Sequence, residues 1–505
     1  MVSIPYGEVA TFLALFFGLV VYVRGRRHGR LPGPSGFPII GNLLDMTALD
    51  DPASIKQWGR KYGELTYLRV FRTPFVFING AKAVTELLDK RSALYSDRPY
   101  LPLAGGIIGL DKLVPNTPFG ERFRLERKLM GTVLNIRAVN KWEHIISKET
   151  HLLLQQLLET PDQFSEHIRR MSTALYFMTL YGYPVQGDYD PFVLLAEEFM
   201  AASSVAIRGG WLVDFIPALR YIPFLSFHRK AAAWRAKVVD WVDKPYAELR
   251  KYFESNRDCL CGAMLNPEDG PRADAKIEEH IKWIATSVYG PGSDSSAVAI
   301  KQFILALTIN PDICRRAGEE LDAVVGRGRL PTLADRDRLP YIEAVYREVL
   351  RWGTPIPLSV PHRLIQDDVY EGKVIPKGSW CLANIWGILH DEELYPDPFS
   401  FHPERFMQTT DAVHARLIDP ETYVFGFGRR RCPGHNFAHA SVWLAVACIL
   451  ACFEVAPIGD KEEDVPKPAF TSGAIRTPLP FACKITPRHP KVAEIIEQNT
   501  ERAQE

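Results

Sequence analysis

Phe425-Gly426-Phe427-Gly428-Arg429-Arg430-Arg431-Cys432-Pro433-Gly434 is the stretch on which the fold turns. Three glycines and a proline hold a tight, open backbone around one thiol, and an apolar helical pattern over residues 436–453 follows at once. A loop of this kind aims backbone N–H groups at the sulfur, and the positive end of the following helix favours a thiolate, so the segment is built like an anionic metal ligand. Other readings of the same residues explain less. Gly426-x-Gly428 opens like a dinucleotide loop, yet Arg431 occupies the third glycine position and no βαβ unit surrounds it. Cys432, His435 and His439 have a C-x2-H-x3-H spacing that suits zinc, which would still need a fourth ligand and leaves three arginines without a purpose. As a membrane span, residues 436–453 carry much alanine and a histidine at 439; a packed interior helix suits them better.

Outward from that loop, the chain has 505 residues with 60 basic against 60 acidic, 47% apolar and 24% charged. That composition argues against a disordered chain, a collagen and a small disulfide scaffold. Length alone suggests roughly three domains. No linker appears after residue 40, so one large domain is expected. The balanced charge argues against nucleic acid as a partner, since counterion release needs a basic surplus or stripe. Eight cysteines are too sparse for a bridged framework and point to a reducing compartment.

Residues 9–23 form an uncharged, mostly apolar run, with Arg24, Arg26, Arg27 and Arg30 directly behind it. As a helix that run rises about 22 Å against a hydrocarbon layer of about 30 Å, so it spans only with help from residues 2–7 or local thinning. A cleaved signal peptide would carry its basic cluster before the apolar run. Residues 1–30 are therefore read as a single membrane anchor with a basic stop, with the N-terminus outside and the rest of the chain in the cytosol. Leu31-Pro32-Gly33-Pro34-Ser35-Gly36-Phe37-Pro38 forbids helix, which makes residues 31–41 a stiff hinge and residues 42–505 the catalytic domain. Short β-rich runs at 66–71 and 75–79 around Arg72-Thr73-Pro74 predict a hairpin, and residues 374–384 a second small sheet. Most other segments keep helical periodicity; the cleanest is 341–352, where Ile342, Val345, Tyr346, Val349 and Leu350 follow the 3,4 spacing. The expected fold is mainly α with small β-sheets.

The cysteine segment matches F-x-x-G-x-R-x-C-x-G at every fixed position. It resembles the haem-ligand signature of the cytochrome P-450 superfamily, microsomal fungal biosynthetic members in particular, and further family landmarks follow in order along essentially the whole chain. The resemblance implies a haem-thiolate fold in which Cys432 is the proximal iron ligand. Phe425, Arg430 and Gly434 then belong to the cofactor site, Arg430 by pairing with a propionate. The electron push of such a thiolate toward O–O cleavage is a property of the family, not a deduction from these residues.

Glu348 and Arg351 stand at i,i+3 on helix 341–352, and Pro403-Glu404-Arg405-Phe406 supplies a second arginine. By resemblance Glu348, Arg351 and Arg405 are a buried structural triad, tolerable only if mutually bonded. Phe119-Gly120-Glu121-Arg122-Phe123-Arg124-Leu125-Glu126-Arg127 looks like the family's W-x-x-x-R helix with Phe123 in place of tryptophan. Arg127 then contacts a propionate, while the hydrogen bond of an indole N–H is expected to be missing. His362, in Pro361-His362-Arg363, matches a further propionate contact. Residues 277–309 read as one long helix interrupted by Gly290-Pro291-Gly292-Ser293-Asp294-Ser295-Ser296. That interruption is similar to the oxygen-activation motif A-G-x-[DE]-T, with Pro291 for alanine and Ser295 for threonine. Proline removes the bond from its own nitrogen to the Ser287 carbonyl and kinks the helix. Asp294 is expected to relay protons from solvent, and Ser295 to pass them on through a hydroxyl that lacks threonine's rotamer-restricting methyl.

What the resemblance implies is haem b with an axial cysteine thiolate, O2 as co-substrate and a hydroxylated organic product. No flavin or nicotinamide motif is present, so NADPH acts only indirectly, through a membrane-bound NADPH-cytochrome P-450 reductase, with Arg429 and Arg431 as candidates for its docking face. Segments 101–113 and 215–227 are apolar and align with family segments that cover the distal pocket and dip toward membrane lipid, which favours a lipophilic small-molecule substrate. Asn384-x-Trp386 and the style of the cysteine loop resemble fungal members of secondary metabolism, hence a terpenoid or aromatic scaffold. The expected location is the endoplasmic reticulum membrane, single-pass. A haem-thiolate isomerase or dehydratase that does not use O2, and a non-enzymatic haem gas sensor, are the alternatives; Asp294 argues against the first, the acid–hydroxyl pair against the second.

Overall fold

The computed structural model describes residues 31–502 apart from 188–189, 208–210, 409–410 and 460, so the anchor expected over 1–30 lies outside the described residues. Leu65–Val70 (β1) and Thr73–Ile78 (β2) pair antiparallel with Val70 opposite Thr73. The hairpin turns at Phe71-Arg72 instead of 72–74, with Phe71 in the left-handed region at φ 51°. Pro74 fits inside β2, opposite Arg69, because β2 meets its second neighbour only from Phe75 onward and no donor is needed on that side at 74.

The helices that carry the site are α1 (Glu121–Val133), α2 (Glu143–Glu159), α3 (Phe164–Tyr181), α4 (Pro191–Ile207), α5 (Ser226–Glu248), α6 (Ala275–Ile309), α7 (Pro340–Gly353) and α8 (His435–Cys452). Between α7 and α8 run β3 (His362–Arg363), β4 (Asp368–Tyr370), β5 (Lys373–Ile375) and β6 (Trp380–Ala383); β7 (Phe453–Ala456) and β8 (Lys484–Pro487) close the chain's sheets. The largest sheet has the order β1-β2-β6-β3, with β6 parallel to β2, and the other two are two-stranded. The segment expected to form one sheet over 374–384 therefore divides: β5 pairs with β4 and β6 joins β2. A turn at 376–379 separates them, with Gly378 at φ 83°.

Helix α6 starts where Asp274 accepts the Ile277 amide at 2.8 Å. It runs without a break through the Gly/Pro/Ser stretch, a difference from the expected interruption. One lost backbone bond at Pro291 is evidently outweighed by the burial of both flanks, since Ile284, Ile300, Phe303 and Leu307 all lie in the principal core. Helix α8 is long and apolar enough to cross a membrane (mean hydropathy 1.4), yet 72% of it is buried. It packs against α2, α6, α7 and the neighbouring helices as an interior element. The fold is predominantly helical with small sheets, and its core sits around α6 and α8.

Candidate active site

The cysteine loop is held from both sides. Cys432 donates its amide to the Phe425 carbonyl at 2.7 Å, closing the loop on itself. Gly426 and Gly428 take positive φ of 73° and 51°, and a side chain at Gly428 would strike the Leu88 carbonyl and Ser92. The Gly428 amide donates to Asp89 at 2.6 Å. His435 donates from Nδ1 to the Cys432 carbonyl at 3.1 Å, while His439 pairs with Glu421 at 2.8 Å and stacks on Tyr346. Both histidines are thus occupied away from the sulfur, and among the described residues no cluster of three metal-ligating groups forms. Burial raises the Cys432 thiol above its usual pKa despite the Gly434 amide, Arg127 and Arg431, which all favour the thiolate. The loop amide and the two arginines favour the thiolate against that burial, and a cation bound at the sulfur would add to them.

Beside the loop lies a group of cations without acids. Arg430 donates to the carbonyls of Ser96 and Thr117, each at 2.7 Å, and its guanidinium sits 3.7 Å from the Phe123 ring centroid. Burial is the main cause that pushes Arg430 down to about 9. Arg98 is buried and donates only to backbone, to Pro115 at 2.8 Å and to Val360 and Pro361 at 2.9 and 2.7 Å. Arg127, on α1, lies in the electrostatic field of Cys432 and is lowered by burial. None of these three arginines has an ion-pair partner among the described residues. The nearest acid, Asp97, is committed to Arg363 at 2.8 Å and to the Phe119 amide at 2.9 Å. His362 donates from Nδ1 to the Tyr95 carbonyl at 2.8 Å; burial first, then Arg98 and Arg430, hold it well below its usual pKa. With its proton on Nδ1, a neutral His362 offers Nε2 only as an acceptor, so it can donate to an anion only once that anion has made it an imidazolium.

The triad reads differently. Arg351 grips Glu348 with two bonds of 2.7 and 2.8 Å and spends its other donors on the Leu389, Pro398 and Ser400 carbonyls. Arg405 reaches Glu348 at 3.2 Å and the Pro396 carbonyl at 2.9 Å, and the His402 amide adds a further donor to Glu348 at 2.7 Å. Every charge here is answered.

On the distal side, Pro291 is an exposed position in the otherwise buried stretch of α6, and Asp294 and Ser295 are half-buried beside it. Burial raises Asp294 above its usual pKa, opposed by Arg169 and Lys301. The Ser295 hydroxyl turns back to the Gly292 carbonyl at 3.4 Å. Tyr176 of α3 packs on Gly292, contacts Ser296 at 3.4 Å and lies in the field of Cys432, so it joins the distal helix to the cysteine side. Sequence reasoning missed Arg98, Tyr176 and Asp89, and also Glu126, whose buried carboxylate ties α1 to α6 through His280 at 3.0 Å. Arg98, Tyr176 and Asp89 have partners far away in the chain, so no local spacing announces them; Glu126 also pairs with Arg122 at i,i+4, 2.8 Å away.

The residues fit a planar group that brings two carboxylates and a metal: three arginines and an imidazole lack acids, and a thiol waits in a loop where a Cβ at Gly434 would begin 3.9 Å from the sulfur. Fold and site together define a haem-thiolate protein. The family model described as Cytochrome P450 matches residues 31–485, and this chain belongs to that family. It is 50% identical over 481 residues to cytochrome P450 monooxygenase claT of Ampulloclitocybe clavipes, covering 94% of this chain and 95% of that protein. It is 36% identical over 503 residues to cytochrome P450 monooxygenase 208 of Postia placenta, covering 97% and 96%. A second Ampulloclitocybe clavipes protein, cytochrome P450 monooxygenase claR, is 35% identical over 509 residues, covering 97% and 93%. The chain is a cytochrome P450 monooxygenase.

Proposed function

We propose that this enzyme inserts one oxygen atom from O2 into a lipophilic small molecule, a terpenoid or aromatic intermediate of fungal secondary metabolism. Electrons come from an NADPH-dependent reductase. Residues 1–30 anchor it, single-pass, in the endoplasmic reticulum membrane, residues 31–41 form the hinge and residues 42–505 the cytosolic catalytic domain. The observation that carries the reading is the cluster of acid-free cations beside Cys432. Haem, when bound, supplies the oxygen activation; what the chain supplies follows from its own atoms. Cys432 would hold the iron, and Arg98, Arg127, Arg430 and His362 would hold the propionates. Asp294, whose pKa burial raises, would take protons arriving past Arg169 and Lys301 and pass them to the Ser295 hydroxyl. The exposed apolar side chains at Tyr221, Ile222 and Phe224 support contact with lipid and delivery of an apolar substrate. Arg429, exposed beside the loop, suits an acidic partner.

Membranes carrying the chain and a reductase, supplied with terpene and aromatic precursors, should consume O2 and NADPH and yield products heavier by one oxygen. Isomerisation or dehydration without consumption would point to the non-oxidative reading; a carbon monoxide adduct of thiolate type with no stimulated turnover would point to a sensor. Cys432→Ser should lose that adduct and all turnover. Ser295→Ala should lower the product formed per NADPH and raise peroxide release; unchanged coupling would show that the hydroxyl is idle.

A further inference from the structure

Two segments that the family resemblance places over the distal side meet at a single carboxylate, Asp214. Segment 99–113 arches between two points fixed beside the basic cluster. One is Arg98; the other is Val114, whose amide meets Ser287 of α6 at 3.0 Å and whose carbonyl takes Arg430. The crown of the arch, Pro102–Ile108, is a short π-type helix packed on α4, α5 and the helix Leu212–Phe215. Helix α4 in turn covers Gly290, where a Cβ would strike Met200, one residue before the exposed Pro291. Asp214 is only 7% exposed. Its Oδ1 accepts the Leu103 amide at 3.0 Å, and its buried Oδ2 has no hydrogen-bond partner among the described residues. Phe215 next to it packs on Phe71, Phe75 and Trp380 of the sheet, so Asp214 is clamped between sheet and crown. Arg235 of α5 holds the far end of the crown at the Ile107 carbonyl, 3.0 Å away. The crown itself carries no charge, and among the described residues Arg72, Asp111, Lys112, Arg220 and Arg235 on the surrounding elements make no ion pair or hydrogen bond with Asp214. Lys112 and Arg220 lie instead over the rings of Trp283 and Tyr221.

We propose that Asp214 is a positioning residue for the reaction: its bond to Leu103 latches the 102–108 crown to the 212–215 helix, and release of that bond opens the route to the pocket. The inference rests on the monooxygenase reading, which puts substrate in that pocket. A buried carboxylate with one donor and one empty oxygen makes a latch that is easily released. Burial pushes the carboxyl up to about 6, against the opposing Leu103 amide. An open, hydrated Asp214 would ionise near the ordinary value of about 4. Between those values the open arrangement gives up its proton first, so rising pH favours opening, by about a hundredfold across the window.

The test is the rate at which the full-length haem protein takes up fluconazole, a triazole that stays neutral over roughly pH 5 to 7.5 and shifts the Soret band on arrival. The wild-type rate should climb around a midpoint near 6. Asp214→Asn, which keeps an acceptor and loses the charge, should be slow and flat; Asp214→Ala should be faster than Asp214→Asn by roughly fivefold at every pH. A wild-type rate without inflection, or an Asp214→Asn profile that tracks it, overturns the latch. Where a variant gives no haem protein, hydrogen exchange at the Leu103 amide of the wild-type chain decides. Protection, corrected for intrinsic rate, falls through the same window if the latch exists and stays level if it does not. A wild-type chain that shows no Soret band at all overturns the monooxygenase reading instead, and exchange then tests the latch alone.

Discussion

Two groups of buried and half-buried arginines in this protein differ in a single respect. Around Glu348, each cation faces an acid or a full set of carbonyls, and the acid accepts from Arg351, Arg405 and a backbone amide. Beside Cys432, Arg98, Arg127 and Arg430 face carbonyls, a ring and one another, with no carboxylate paired to them among the described residues. Burying charge is costly in both places. Where the charge is paired inside the chain, the cluster is structural and its loss is felt on folding. Where it is not, the proposed haem would bring the missing anion, and the loss would be felt on binding. The contrast separates scaffold from site.

The largest effect should come from breaking the closed group. Glu348→Gln leaves Arg351 and Arg405 with an uncompensated buried charge and should cost about 3–5 kcal/mol, read as a drop in the denaturation midpoint whether or not haem is bound. Arg127→Gln should do the reverse. Its guanidinium has no partner among the described residues to orphan, so the folding free energy should stay within about 1 kcal/mol of wild type, while haem leaves more readily by about 1.5–3 kcal/mol, or roughly ten- to a hundredfold in the transfer rate to an acceptor protein. If Arg127→Gln instead unfolded the chain and left haem retention alone, the distinction between the two groups would fail.

Of the three ionic clusters, the one around the buried Asp335 and its exposed arginines should respond least as a mutation but most clearly to acid. Asp335 accepts from Arg329 at 2.6 and 2.7 Å and from Thr332, and Arg329 is the leading cause that holds its carboxyl well below the usual carboxylate range. A depressed carboxylate stabilises fully above the unfolded value near 4 and loses that contribution as pH falls toward the folded one. Asp335→Asn lacks it throughout, so it should be less stable by about 1 kcal/mol at neutral pH, and the two stability curves should converge in acid.

How far these clusters could be read beforehand depends on how local their contacts are. Cys432, Gly434 and Phe425 belong to one loop, and Glu348 and Arg351 to one helical turn, so a local pattern sets them side by side and the family resemblance gives them their expected roles. Pairing distance also explains what was misplaced: the turn at Phe71-Arg72 is set by the register of β1 on β2, and the split of 374–384 by competition between two sheets. Pro291 was expected to interrupt its helix, but the packing of α6 on α3 and α8 holds the helix through it. Arg98 and Asp214 had no local signature at all. Arg98 becomes meaningful only when Val360 and Pro361 arrive from 262 and 263 residues away, and Asp214 only when Leu103 does, from 111.

The smallest effect on haem retention concerns Phe123, whose ring carries the Arg430 guanidinium where the resembled family pattern has an indole. Phe123→Trp offers a stronger face to that cation, worth about 0.5–1 kcal/mol, and adds an N–H donor directed into a region short of anions and rich in cations. The position is 3% exposed and packs 5.7 Å from Phe119, so the larger ring also costs about 1–3 kcal/mol in crowding. The two consequences fall on different measurements. Crowding lowers the denaturation midpoint of the chain; the new donor is useful only when an anion is present, and so should slow haem loss by roughly twofold to fivefold. A variant that loses stability and also sheds haem faster would mean that Phe123 is tuned to hold Arg430 in place, and that the missing indole is no deficit in this protein.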